Sequence, residues 1–310
     1  MEWSSFLVLL LAAAVRLSTP VLLAALGEIF AERSGILNIG VEGMMLAGAL
    51  GGVVGAYYAQ NPWVGLLAGM AAAGLLALIH AFLSITVKAD QIVSGVGINI
   101  LALGLTAFFF RSQFGISPKP VMVKSFSDIT VPVLGSIPFV GEILFQQNVL
   151  VYLALILVPL SWFVLARTNW GLNIRSVGER PQAADTAGIN VASIRYFSTL
   201  VGGLLAGMGG CFLSLGQVKM FAEGMTAGRG FIALAAVIFG KWNPFGVLGA
   251  AVIFGVAEAV QLRLQAHGFE IAYQFLLMIP YVLTIVALAG LVGKSVYPEA
   301  LGRPYSKGGE

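Results

Sequence analysis

The stretch Glu32-Arg-Ser-Gly-Ile-Leu-Asn-Ile-Gly-Val-Glu-Gly-Met-Met45 joins two long apolar runs and interrupts them with Asn38, Glu42 and three glycines. The chain around it has 310 residues, of which 58% are hydrophobic and only 10% are charged. In an average soluble domain about a quarter of the residues are charged. A chain this apolar needs lipid as the solvent for most of its surface, so the sequence predicts a polytopic membrane protein.

Apolar runs of about 20 residues match the hydrocarbon thickness of a bilayer when they are helical. Eight runs are long enough to be full spans. A ninth run, 230–240, is too short to cross the membrane as a full helix and is predicted to be a half-helix or a tilted segment. The predicted fold class is all-α, with about 8–10 transmembrane helices including a short or broken one, in a single transmembrane domain over 1–310. The eight predicted full spans are 5–30, 36–59, 63–87, 91–110, 149–166, 196–216, 245–262 and 271–292.

The distribution of basic residues predicts the orientation of the chain. In the loop 167–195 four arginines outweigh Glu179 and Asp185, and such an excess is typical of cytoplasmic loops. The C-terminus is then cytoplasmic. The segments that face outward are 111–148, 217–229 and 263–270, and a re-entrant piece around 134–140 is left open.

Two polar residues interrupt the span that begins at 36. If this stretch is helical, Asn38 and Glu42 lie on one face about 6 Å apart. A carboxylate in hydrocarbon is costly unless it is paired or hydrated. Glu42 therefore either faces a hydrated path or ties two helices together, through Arg16 or Arg33.

Further polar residues are candidates for a path through the membrane. Asn99 lies in the middle of the run 91–110, and its amide needs hydrogen-bond partners if it is buried. The segment 217–229 mixes polar and aromatic residues just before the short run, and discontinuous helices are frequent at transport pathways. A plain surface loop would have a similar composition. The predicted path residues are Asn38, Glu42, Asn99, Gln217, Phe221 and Glu223.

A short helix is predicted inside the basic loop. Pro181 suits the first helical turn and Gly188 suits the position after the last, with about two alanine-rich turns between them. Asn190 can cap the helix that follows. A helix this short is marginal in water by itself, so we expect another protein to receive it.

The residues of this short helix resemble a loop motif of a known protein family. Ala183-Ala184-x-x-x-Gly188 resembles the Glu-Ala-Ala-x-x-x-Gly loop of ATP-binding-cassette (ABC) importer permeases, with Gln182 where the glutamate usually stands. The chain resembles the branched-chain amino acid and simple-sugar group of these permeases, and most closely the shorter permease of nucleoside importers. Three stretches carry this likeness, Gly35–Met45, Gly178–Gly188 and Gly228-Arg-Gly-Phe-Ile-Ala-Leu-Ala-Ala-Val-Ile-Phe-Gly-Lys-Trp-Asn-Pro244.

The resemblance implies a subunit of an importer in the bacterial cytoplasmic (inner) membrane. A second permease subunit, expected to be a longer homologue, shares the path. An ABC ATP-binding subunit binds ATP and Mg, and an extracytoplasmic substrate-binding lipoprotein delivers the solute. The loop 167–195 becomes a coupling loop, and its coupling residues are Arg180, Pro181, Ala183, Ala184, Asp185 and Gly188.

The residues themselves predict no catalysis, cofactor, metal or nucleic acid in this chain. Gly293-Lys294-Ser295 resembles the end of a phosphate-binding loop, but Leu288 stands where that motif needs glycine. His80 and His267 are the only histidines, and the net charge of +3 is small for a nucleic-acid partner. The alternatives are a permease for simple sugars or branched-chain amino acids, a self-sufficient secondary transporter with Glu42 as its ion-coupling carboxylate, or a membrane scaffold. The short helix in the loop has no purpose in a secondary transporter.

Overall fold

The computed structural model describes residues 3–115, 120–266, 278, 282 and 297–307. Within these ranges the chain is mostly helical. Two π-helical segments, Phe82–Thr86 and Phe212–Val218, continue α3 and α9. The helices are α1 (Trp3–Arg33), α2 (Val41–Ala59), α3 (Pro62–Ala81), α4 (Gln91–Phe114), α5 (Val140–Leu144), α6 (Val149–Arg167), α7 (Asn169–Glu179), α8 (Pro181–Thr186), α9 (Val191–Cys211), α10 (Arg229–Phe239) and α11 (Pro244–Ala266).

Six helices of the described part are long and apolar enough to cross a membrane. They correspond to six of the eight predicted full spans, and α10 is the predicted short run. The predicted span 36–59 forms the 19-residue helix α2, which is not among the six. Glu42 and the glycines of α2 lower the mean hydropathy of this helix. The predicted span 271–292 lies outside the described residues. The six candidate spans are Phe6–Arg33, Pro62–Thr86, Gln91–Phe114, Val149–Arg167, Val191–Val218 and Pro244–Gln265.

The boundaries of the helices follow local capping signals. Side chains accept hydrogen bonds from the first-turn N–H groups of five helices, which otherwise lack partners. Pro62 and Pro181 stand in the first turns of α3 and α8, where a missing N–H costs nothing. The five capping side chains are Asn61 for α3, Asp90 for α4, Asn148 for α6, Thr168 for α7 and Asn190 for α9.

The stretch Glu32–Met45 forms a turn followed by the beginning of a helix. The Ile36 N–H donates to Ala31 O at 3.1 Å and the Gly35 N–H donates to Glu32 O at 2.9 Å. With Gly35 at φ +92°, this pair of bonds is a Schellman motif that ends α1. Because α2 begins only at Val41, Asn38 lies in the connection. The expectation that Asn38 and Glu42 share a helix face is wrong.

Helix α9 lies at the centre of the bundle, in contact with α1, α2 and α3. Glycines allow this close packing. A Cβ on Gly48 would lie 2.5 Å from the Cα of Gly207 in α9, and one on Gly210 would overlap the carbonyl of Met45. These glycines therefore lie at helix contacts, as in other membrane bundles.

The connection 111–148 contains no helix long enough to cross a membrane in its described part. Strands β1 (Asp128–Thr130) and β2 (Gln146–Asn148) pair antiparallel, so that Asp128 lies opposite Asn148. A 3₁₀ turn at Leu134–Ser136 and the five-residue α5 lie between them. This small sheet lies between α4 and α6 along the chain and was not predicted from the sequence.

Candidate transport and coupling sites

Asn38 is fully buried and binds a buried carboxylate of α1. Its backbone N–H and its Nδ2 donate to the two carboxylate oxygens of Glu28, each at 3.1 Å. The Oδ1 of Asn38 has no hydrogen-bond partner within the described residues. Asn38 therefore fastens the α1–α2 connection back onto α1.

Asn99 joins α4 to the beginning of α2. Its Oδ1 accepts from the Gly43 N–H at 2.8 Å, and its Nδ2 donates to Ile39 O at 2.9 Å. Gly43 lies in the first turn of α2, whose N–H groups have no partner within their own helix. Asn99 thus caps α2 from a neighbouring helix, and both ends of its amide are occupied.

Glu42 caps the short helix α10. Its Oε1 accepts from the Gly228 N–H at 2.8 Å and its Oε2 accepts from the Gly230 N–H at 2.6 Å. A carboxylate at this position also complements the helix dipole. Of the two roles predicted for Glu42, this geometry supports the second, a tie between two helices. It is made through backbone N–H groups and not through Arg16 or Arg33.

The remaining predicted path residues lie at the connection between α9 and α10. Phe221 is buried, and its ring packs on Phe110 with centroids 5.1 Å apart. Glu223 is partly exposed and pairs with Arg111, whose Nε and Nη2 donate at 2.7 and 2.6 Å. The hydrogen bonds from Arg111 hold the pKa of Glu223 below its usual value. Phe221 and Glu223 therefore bind this connection to α4.

Gln217 borders an open cavity of about 550 Å³. Its Nε2 donates to the Arg16 carbonyl at 3.1 Å. The cavity lies between α1, the π-helical end of α9, the end of α11 and the β1–β2 sheet. Its lining consists of Ala13, Arg16, Leu17, Phe126, Ser127, Asp128, Asn148, Phe212, Gly216, Gln217, Lys219 and Leu262.

Several buried polar residues were missed by the sequence analysis. Glu28 and Glu32 lie one turn apart in α1, and both are buried. Glu32 accepts a hydrogen bond from the Trp242 indole. Arg195 is 1% exposed and donates to Ser34 O and Arg303 O. Ionisable residues inside an apolar run are the signal that could have identified them. Within the described ranges no three His, Cys, Asp or Glu residues lie together as a metal site.

The loop 167–195 is more ordered than predicted. Helix α7 occupies residues predicted as loop, and its buried residues Gly171, Ile174 and Val177 recur at helical spacing, a signal that the sequence offered. Helix α8 follows directly and ends in a second Schellman motif, with Gly188 at φ +85°. The predicted short helix between Pro181 and Gly188 is confirmed as a helix.

The two faces of α8 differ. Pro181 and Ala184 are buried, and Ala184 packs with Val177 and Val191. Gln182, Ala183, Thr186 and Ala187 are exposed. Ala184 therefore faces its own chain, and the surface that α8 offers to another protein is the one that carries Ala183.

The segment 297–307 packs beside α8. The Ala300 N–H donates to Gly178 O at 2.9 Å, and Lys307 Nζ lies 3.6 Å from an Asp185 oxygen. Burial and a hydrogen bond with Asp185 raise the pKa of Tyr305. Arg180 Nε is 3.9 Å from Glu299 Oε2, across a cleft of about 420 Å³ that Ala183 also lines. The predicted coupling residues Arg180, Pro181, Ala183, Ala184, Asp185 and Gly188 are thus gathered in one small structure.

Comparison with known proteins identifies the class. Residues 10–291 match the family described as "Branched-chain amino acid transport system / permease component". Together with the apolar helices, this makes the chain a multi-pass membrane permease. It belongs to that family.

Three relatives are similar over most of the chain. The guanosine ABC transporter permease protein NupQ of Bacillus subtilis is 45% identical over 94% of both chains. The nucleoside ABC transporter permease protein NupC of Lactococcus lactis is 40% identical, again over 94% of both. The putative glucose ABC transporter permease protein TsgC13 of Haloferax volcanii is 45% identical over 84% of this chain and 79% of its own.

A second permease protein of Bacillus subtilis, the guanosine ABC transporter permease protein NupP, is 27% identical over 78% of this chain and 70% of its own. No solved structure matches the chain.

Proposed function

We propose that this chain is a transmembrane permease subunit of an ATP-driven nucleoside importer. The observation that carries the proposal is the end-to-end similarity to two permeases named for guanosine and nucleosides, NupQ and NupC, over 94% of each chain. Similarity along the whole length includes the helices, the coupling loop and the connections between them.

The exposed face of α8 is the proposed contact with the ATPase subunit. It is a small surface of Gln182, Ala183 and Thr186, held in place by α7, by α9 and by the segment 297–307. This backing supports a coupling role, because an isolated six-residue helix could not transmit a movement. ATP and Mg²⁺ belong to the ATPase, and this chain carries neither a cofactor nor catalytic residues in the proposal.

Besides the ATPase, the proposed assembly has two further components. A second, longer permease shares the path, as the existence of both NupQ and NupP in one bacterium supports. A substrate-binding lipoprotein delivers the solute from outside. The complex lies in the bacterial cytoplasmic membrane with the loop 167–195 and the C-terminus on the cytoplasmic side, in accord with its arginine excess.

The substrate path contains the predicted residues in two different capacities. Gln217 lies at the 550 Å³ cavity and can meet a solute there. Asn38, Glu42 and Asn99 use their polar atoms to fix α1, α2 and α10. In the proposal these three residues hold the helices around the path in position and do not bind the solute.

Sugar import is the second candidate, because TsgC13 is as similar in identity as NupQ is. Uptake assays separate the candidates. The chain is expressed with its partner permease, ATPase and binding protein in cells that lack their own nucleoside importers, and labelled inosine, adenosine, glucose and leucine are offered. We expect ATP-dependent accumulation of nucleosides. Accumulation of glucose or leucine alone would contradict the proposal, and uptake without the ATPase would indicate a secondary transporter.

A further inference from the structure

Arg16 is the one charged residue between Trp3 and Gly27, in the middle of the apolar helix α1. An arginine in such a segment costs several kcal/mol unless it is paired or hydrated. Its guanidinium has no hydrogen bond or ion pair with any residue that the structure describes, and it lines the 550 Å³ cavity. A cation on an open cavity in a membrane helix, with no partner among the described residues, is a candidate for a functional site.

The backbone around Arg16 is also specialised. Pro20 has no N–H and so leaves the Arg16 carbonyl without its helical partner. Gln217 supplies the missing bond at 3.1 Å from the opposite wall. Gln217 belongs to the π-helical segment Phe212–Val218, and π-helical turns occur frequently at functional sites. Two irregular helices therefore meet at this cavity.

The rest of the lining has the chemistry of a binding site. Asp128 and Lys219 provide charges that form no ion pair within the described residues, while the rings of Phe126 and Phe212 are buried in the cavity wall. The volume of about 550 Å³ lies in the range of small-molecule sites. Arg16 lies about 26 Å along the helix from Arg33. With Arg33 at the cytoplasmic side, the cavity is at the outer end of the membrane.

We infer that this cavity is a binding site for a purine nucleoside on its way into the membrane, and that Arg16 recognises an oxygen at position 6 of the base. The inference rests on the proposed nucleoside import and specifies its substrate class. A guanidinium donates two parallel hydrogen bonds to O6 and N7 of such a purine, and the Asp128 carboxylate accepts from ribose hydroxyls. An amino group at position 6 presents a donor to Arg16 instead.

The test compares inosine with adenosine, which differ at position 6 of the base. The complete importer is reconstituted in proteoliposomes with one saturating preparation of binding protein, and initial uptake rates of both nucleosides are measured for wild type and variants. Because the binding protein is the same throughout, its selectivity cancels in the comparison between variants. We expect Arg16→Gln to lower the inosine-to-adenosine ratio about 5- to 140-fold, the discrimination of one bidentate arginine contact.

Two further variants complete the design. Arg16→Lys keeps the charge and the length but not the fork, so it tests the inference even where Arg16→Gln fails to assemble, and its ratio should also fall. Arg167→Gln removes an exposed arginine at the end of α6, away from the cavity, and should leave the ratio unchanged.

The remaining outcomes overturn the inference. An unchanged ratio in both Arg16 variants, or a proportional fall in both uptake rates, would assign Arg16 a structural role and leave nucleoside import intact. An inosine-to-adenosine ratio that rises in Arg16→Gln would refute the recognition of O6. A wild-type complex that moves glucose and no nucleoside would refute the proposed function itself.

Discussion

Replacing Glu42 by glutamine tests whether this carboxylate is a helix cap. Both of its oxygens accept backbone N–H groups, those of Gly228 and Gly230, at the beginning of α10. Glutamine keeps the shape and one acceptor, but its NH₂ group then faces an N–H donor. One bond is lost and one backbone N–H is left without a partner.

The expected cost follows from these contacts. A hydrogen bond to a charged group contributes about 1.5–3 kcal/mol, and the loss of a negative charge at a helix N-terminus adds about 0.3–1 kcal/mol. Glu42→Gln should therefore lower the free energy of unfolding by about 2–4 kcal/mol. The matched control is Glu223→Gln, which removes a partly exposed carboxylate paired with Arg111. Exposed pairs contribute little, so the control should cost less than about 1 kcal/mol.

The assay is denaturant titration of the purified chain in detergent micelles, followed by transport per assembled copy in the reconstituted importer. We expect a destabilised Glu42→Gln chain whose assembled copies transport at the wild-type rate. Equal stability of Glu42→Gln and its control would refute the capping argument. A chain of normal stability with slower transport per copy would instead support the path role that the sequence predicts for Glu42.

Three other predictions concern coupling, orientation and packing. Ala183→Arg, on the exposed face of α8, should abolish uptake and co-purification of the ATPase without affecting the fold. The buried control, Ala184→Arg, should destabilise the chain itself. Normal uptake by Ala183→Arg would exclude docking through this face. In an otherwise cysteine-free chain, a cysteine at Lys124 should react with an impermeant thiol reagent in intact cells and one at Ala183 should not, and the reverse pattern would invert the orientation. Gly210→Ala should lower the thermal stability because its Cβ overlaps a backbone carbonyl of α2, whereas Gly97→Ala, with nothing within 4 Å, should not; equal melting temperatures would contradict the close packing of α2 and α9.

Signals that are local in the sequence were sufficient for most of the long helices. The apolar runs predicted six of the long helices and the short α10, because hydrophobicity over about 20 residues is a property of the segment itself. The helix between Pro181 and Gly188 was predicted from its capping residues for the same reason. Helix α7 could have been predicted from the spacing of its buried residues.

The partners of the polar side chains were decided by the tertiary structure alone. The sequence left open whether Glu42 lies on a path or ties two helices together, and it offered Asn99 as a path candidate. In the fold both side chains accept from backbone N–H groups that are 186 and 56 residues away in the sequence. The sequence likewise did not predict which side of α8 is buried. In the structure Ala184 packs inward and Ala183 is exposed. A polar residue in an apolar run shows that it needs a partner, since its burial would otherwise be too costly. Which partner it finds depends on how distant helices pack, and the sequence pattern around the residue does not contain that information.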